Sequence, residues 1–175
     1  MLRTAALGVL LTAVLAGPPA ARPAPAPAAA AARVPAAAWT APVDGALDVT
    51  RPFNAPAERW GPGHRGVDLA APPGMPVRSA GEGVVLFAGL VAGRPVVSVA
   101  HAGGVRTTYE PVSPAVRAGQ RVTVGSVLGT LLPGHAGCPA GACLHWGLLR
   151  GQTYLDPLLL LRPLRLRLLP PGPDG

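Results

Sequence analysis

Two imidazoles and one carboxylate are the side chains of this 175-residue chain best suited to joint chemistry. His64 and Asp68 lie four positions apart in GHRGVDLAAPPG (63–74), and His145 lies in CLHWGLL (143–149). The first stretch is too rich in glycine and proline to be a helix, so this spacing is not one turn of a helical face. Two nitrogen donors and an oxygen donor are a set used by catalytic zinc, which keeps a fourth position for water. Spacing alone makes this a modest signal, because a lone histidine is more often an ordinary core or surface residue.

Holding three such groups together requires a rigid frame, and between Trp39 and about Leu161 the sequence offers one made of strands. Short runs rich in Val, Thr and Leu recur between glycines: VVLFAGLV (84–91), PVVSVAHA (95–102), VRTTYEPV (105–112), RVTVGSVLGTLL (121–132) and CLHWGLL. The pattern predicts an all-β domain, an antiparallel sheet or sandwich, with no window that sustains a helical period. Along the strand expected at 143–149, alternation sends Cys143 and His145 to one face and Leu144 and Trp146 to the other. After Asp156 the sequence is Leu-rich; LRLRL (164–168) reads either as a final edge strand or as a basic surface segment, ahead of a loose end.

The length suits one domain with appendages. Pro and Gly number 23 each, but the prolines crowd toward the two ends and leave the middle free to fold. Fifteen basic side chains, every one an arginine, stand against eight acidic ones and give a formal charge of +7. That balance favours polyanions or carboxylate-bearing polymers as partners. Residues 1–21 read as a signal peptide, with a basic Arg3, an apolar run from Thr4 to Gly17 and small residues beyond it. The run is shorter than the roughly 20 residues a spanning helix needs, so no stable membrane span is expected after its removal. Residues 22–38 are almost pure Pro, Ala and Arg and read as a flexible linker. The expected folded domain is 39–161, followed by a tail at 162–175. Export argues for a secreted protein and against nucleic acid as partner.

The ordered succession of motifs adds a resemblance. PFNAPAERWGPGHRGVDLAAPPGMPVRSAGEGVVLFAG (52–89) resembles the start of the lysostaphin/LytM-type zinc peptidases, the M twenty-three family, with its Pro-Phe turn, H-x-x-x-D, small-residue turn and glycine-bounded strand. GQRVTVGSVLG (119–129) is similar to that family's hairpin, and CLHWG falls where the family has an H-x-H strand. The resemblance spans about residues 50–150. It implies a small antiparallel β core with a groove, zinc held by His64, Asp68 and His145, and peptidoglycan peptides in the cell wall as the target.

Two departures bear on activity. The resemblance implies a water-orienting histidine at position 143, which is Cys143, and another closing the segment TTYEP, where Pro111 stands. Proline has neither a titratable group nor an N–H. General acid–base partners typically contribute about 100-fold to 10,000-fold each, so a zinc centre without them is expected to hydrolyse peptides weakly or not at all. Cys143 has two readings: a thiol that serves as base or fourth ligand, or one half of a disulfide with Cys138, the default in an exported protein with two cysteines. The bridge is preferred, and it would pin the strand that carries His145. His135 reads as a displaced helper or, more simply, a solvated loop residue, and His101 as a residue flanking a turn. Glu110 neighbours the missing histidine, but strand alternation is expected to turn it away. Tyr109 and Trp146 read as packing residues or groove walls, and Arg65 and Arg150 as substrate contacts or surface charge. Three functions therefore compete: a zinc endopeptidase of peptidoglycan, a non-catalytic wall-peptide binder or regulator of another cell-wall hydrolase, and a basic envelope-associated protein whose polar cluster is incidental.

Overall fold

Alternation governs the described part of the chain, which in this computed structural model is residues 39–162 apart from Arg59 and Ala136. The expected signal peptide, the linker and the LRLRL segment lie outside it. Eleven strands follow one another: β1 (Asp48–Arg51), β2 (Gly66–Ala70), β3 (Pro76–Arg78), β4 (Gly83–Val91), β5 (Arg94–Ala100), β6 (Val105–Glu110), β7 (Val112–Pro114), β8 (Arg121–Val122), β9 (Val127–Leu131), β10 (Cys143–Arg150) and β11 (Thr153–Leu155). The helical elements among the described residues are two short 3-10 turns, at Ala102–Gly104 and Pro157–Leu161. No helix there is long and apolar enough to cross a membrane.

The strands form two antiparallel sheets. The larger runs β1-β2-β10-β6-β5-β4-β8, with β11 also paired to β10, and the smaller runs β3-β9-β7. Val67 and Leu69 of β2, Val97 and Val99 of β5, Tyr109 of β6 and Leu144 and Trp146 of β10 share one buried cluster with Val77, Val112, Leu128 and Leu131 of the smaller sheet. Burying side chains of this size is the main favourable term for the fold, at about 1.5–3 kcal/mol each. The intervening positions, Asp68, Ser98, Glu110 and His145 among them, are left to the other face of the larger sheet, which bears a groove.

Two strand expectations need correction. The run 121–132 is not one strand: β8 belongs to the larger sheet and β9 to the smaller. Between them Thr123 and Ser126 close a turn, and Gly125 takes a φ of 78°, a left-handed conformation that L side chains rarely adopt. The run 105–112 likewise divides, because Pro111 has no N–H to continue a ladder and the chain passes there from β6 into β7. The strands β1, β2 and β3 were not expected, being short and set among glycine and proline.

Candidate metal centre

The sheet order makes neighbours of residues far apart in sequence. β10 lies between β2 and β6, and its register sets His145 opposite Asp68 on one side and opposite Glu110 on the other. Because side chains alternate, Asp68 and His145 leave the same face while their neighbours Val67, Leu69, Leu144 and Trp146 enter the core. Their closeness depends on Gly66 at the start of β2. A Cβ there would overlap the Trp146 carbonyl oxygen and stand 2.8 Å from His145 Nε2. His64 arrives from outside the named strands, on an isolated bridge to Asn54 made by two backbone hydrogen bonds of 3.0 and 2.7 Å.

The donor atoms of His64, Asp68 and His145 all lie within 4.8 Å of one another. Asp68 Oδ1 is their hub, 3.0 Å from His64 Nε2 and 2.8 Å from His145 Nδ1, and the two imidazole nitrogens are 3.1 Å apart. On the far side of its ring, His64 Nδ1 lies 2.7 Å from the Pro52 carbonyl oxygen. A carbonyl can only accept, so Nδ1 carries the hydrogen and Nε2 of the neutral ring presents a lone pair. That lone pair faces a carboxylate oxygen, which is also an acceptor. Two acceptors at 3.0 Å call for a cation between them, a proton or a metal ion. The Pro52 contact is the outer hydrogen bond that commonly fixes the tautomer of a metal-binding histidine. Burial pushes the Asp68 carboxyl up, but its hydrogen bond to His145 and the surrounding imidazoles more than offset this and hold it below its ordinary value. Asp68 is 1% exposed and His64 5%, so the ionised carboxylate is kept out of bulk water. Donor types, convergence and fixed tautomer all fit zinc.

A third imidazole stands beside this set. His135 Nε2 is 3.3 Å from Asp68 Oδ1, and its ring stacks on that of His145 with centroids 5.6 Å apart and planes at 28°. The solvated-loop reading of His135 is therefore not what the structure shows. Its approach was not legible in the sequence, since it lies in a glycine-rich loop with no periodicity to set a direction. Glu110 also differs from expectation: it lines the groove, where Arg94 pairs with it at 3.1 Å. β6 ends at Glu110, so Pro111 lies outside it, and alternation within the strand turns Glu110 away from the buried Tyr109 and into the groove. Cys143 is bonded to Cys138, with an S–S distance of 2.05 Å, so its thiol roles are closed. Tyr109 and Trp146 are fully buried core residues rather than groove walls. His101 is buried against Trp39 in a separate polar network, away from the three converging donors. Arg65 donates to the Gly61 carbonyl and lies over the Tyr154 ring, while Arg150 is exposed at the end of β10.

The groove beside these residues has a volume of about 560 Å³. Arg51, Arg65, Arg94 and Arg106 line it, with Glu110 as its carboxylate outside the Asp68 hub. Arg65, Arg106, Leu149 and Tyr154 also line an adjoining recess of about 440 Å³. The walls thus suit an extended ligand that carries negative charge.

Known proteins share sequence or fold with much of this chain. An uncharacterized protein of Mycobacterium tuberculosis is 55% identical over 131 residues, which is 73% of this chain and 53% of that protein. The DD-carboxypeptidase/endopeptidase Mpg of Neisseria gonorrhoeae is 39% identical over 84 residues, 47% of this chain and 19% of Mpg. The chain thus spans about half the length of its mycobacterial relative and a smaller share of Mpg. Among solved structures, a zinc containing peptidase from Vibrio cholerae superposes with a TM-score of 0.58 at 26% identity, covering 72% of this chain and 40% of that one. The model of peptidase family M23 matches residues 62–157, a segment that holds His64, Asp68, His135 and His145 together with β2 to β11. On that match over more than half of its length, the chain belongs to peptidase family M23.

Proposed function

We propose that this domain binds one zinc ion through His64 Nε2, Asp68 Oδ1 and His145 Nδ1 and acts on peptidoglycan peptides. The single observation behind the reading is the pair of facing acceptors, His64 Nε2 and Asp68 Oδ1, at 3.0 Å with His145 closing the set. Zinc in such a set polarises a carbonyl and lowers the pKa of water. The chain's own residues do the rest. Pro52 holds the His64 tautomer, the β2–β10 register orients Asp68 and His145, and the arginine-lined groove draws in a ligand with free carboxylates, such as a wall stem peptide. The kinship with Mpg and with the zinc containing peptidase supports hydrolysis as the chemistry. We also propose that residues 1–21 direct export and 22–38 act as a linker, which would place the domain 39–161 at the cell wall.

A second reading, wall-peptide binding or regulation of another hydrolase without turnover, is favoured by a specific observation. Cys143 is oxidised and Pro111 has no imidazole, so neither can move a proton. Metal analysis of the purified domain should find one zinc per chain, lost in His145→Ala. Incubation with cross-linked peptidoglycan should release peptides from the wild type above the His145→Ala background. Equal background release by both would leave binding as the function, and failure of the wild type to sediment with intact wall material would remove that too.

A further inference from the structure

His135 is the imidazole of the groove that the zinc reading does not use. Its position is determined twice over. Its ring stacks on His145, and its carbonyl accepts a hydrogen bond of 3.0 Å from the Cys138 N–H, closing a turn. Cys138 in turn is tied through the disulfide to Cys143, two residues before His145. The loop bearing His135 is thus anchored to the same strand end that presents a zinc donor. The side chain is 13% exposed, and it borders the groove. A loop histidine with no role beyond solubility has no reason to be stacked, tethered and turned toward a carboxylate. Nor does it belong to the ligand set: among the described residues, the donors lying within 4.8 Å of one another are those of His64, Asp68 and His145.

We infer that His135 is a binding residue of this centre: without ligating zinc, it donates a hydrogen bond to an anionic or carbonyl oxygen of a ligand lying beside the ion. The inference rests on the proposed zinc site. It supplies an imidazole where Cys143 and Pro111 have none, and it does so from the loop that Cys143 itself anchors. The chemical class recognised is an oxyanion or a polarised carbonyl within a peptide. A hydrogen bond to such a charged oxygen corresponds to about 10-fold to 100-fold in affinity.

The test uses the whole domain, zinc and acetohydroxamate, a small chelating anion, and it requires no turnover. Zinc stoichiometry and affinity are measured first by competition with a chelator, then acetohydroxamate affinity by calorimetry, for wild type, His135→Ala and His135→Gln. His135→Ala is expected to leave zinc affinity within about 3-fold and to weaken acetohydroxamate by about 10-fold to 100-fold, with His135→Gln recovering much of the loss through its amide N–H. A zinc affinity that drops more than about 10-fold in His135→Ala would show that His135 holds the ion, as a ligand or through Asp68, and overturn the inference. Unchanged acetohydroxamate affinity in His135→Ala, or no recovery in His135→Gln, would also overturn it. A wild type that takes up no zinc would defeat the zinc reading itself, a result seen before any hydroxamate is added. Circular dichroism of each variant separates these outcomes from misfolding.

Discussion

Two buried histidine clusters sit on opposite faces of the same sheet, and they are built to opposite rules. In the interior one, His101 Nδ1 meets the Glu82 carbonyl at 2.7 Å and Nε2 meets the Thr107 hydroxyl at 2.7 Å. The Thr107 and Tyr109 hydroxyls are 2.9 Å apart, and the Ala80 N–H donates to Tyr109. Every contact there pairs a group that can donate with one that can accept, so the network is complete as it stands. In the groove, His64 Nε2 and Asp68 Oδ1 face each other as two acceptors. Burial is similar in both, so burial does not separate structure from function. What separates them is that the groove pair needs an added cation between its acceptors, a proton or a metal ion, before its hydrogen-bond account closes.

The sharpest way to break this contrast is to remove a groove donor. His145→Ala is expected to lower zinc affinity by more than the about 10-fold to 100-fold typical of losing an outer partner, with little loss of fold, measured by chelator competition. If zinc binding survives, the two clusters are alike after all. Gly66→Ala comes next: the added Cβ overlaps the Trp146 carbonyl oxygen and crowds His145, so stability should fall by about 1–3 kcal/mol and zinc uptake with it, seen in thermal melts and metal content.

The interior cluster should respond in the reverse sense. Thr107→Val leaves His101 and Tyr109 each short of a buried partner and should cost about 1–3 kcal/mol of stability while zinc uptake is unchanged. Burial also pushes the His101 pKa down despite its backbone hydrogen bond to Glu82. The unfolded chain therefore takes up this proton first. The stabilising contribution is full above the unfolded value of about 6.5 and is lost as pH falls from there toward the folded value. Wild-type melting temperature should drop between about pH 7 and pH 5, and His101→Gln should flatten part of that slope. The smallest effect on the groove centre is expected from replacing both cysteines with serine. A loop this short contributes about 2 kcal/mol to stability by the chain-entropy estimate, and zinc affinity should hold because neither sulfur is a donor to the ion.

The contrast also marks what a sequence makes legible. The strands β4, β5, β6 and β10 were readable because Val, Leu and Thr recur there with glycine at the ends. The side-chain alternation of β10 followed directly, with Leu144 and Trp146 inward and His145 outward. The pairing of β10 with β2 could not be read, because register between distant strands is set by tertiary packing rather than by either segment alone. That is why the residue types of the centre are apparent in the sequence while the approach of the third imidazole, His135, and the groove-facing side of Glu110 are not. As letters, His64 stands out from His101 through Asp68 four positions on. In the fold their partners, a hydroxyl in one case and a carboxylate in the other, complete the distinction.

The register between β2 and β10 has a temporal side. Asp68 and His145 are 77 positions apart yet adjacent in space, and the second of them arrives on the penultimate strand. A chain halted or clipped before Cys143 carries a nitrogen and an oxygen donor but no third, and its grip on an ion is correspondingly poor. Completion of the sheet and convergence of the three donors are thus the same event, so a half-made molecule holds at most two of them.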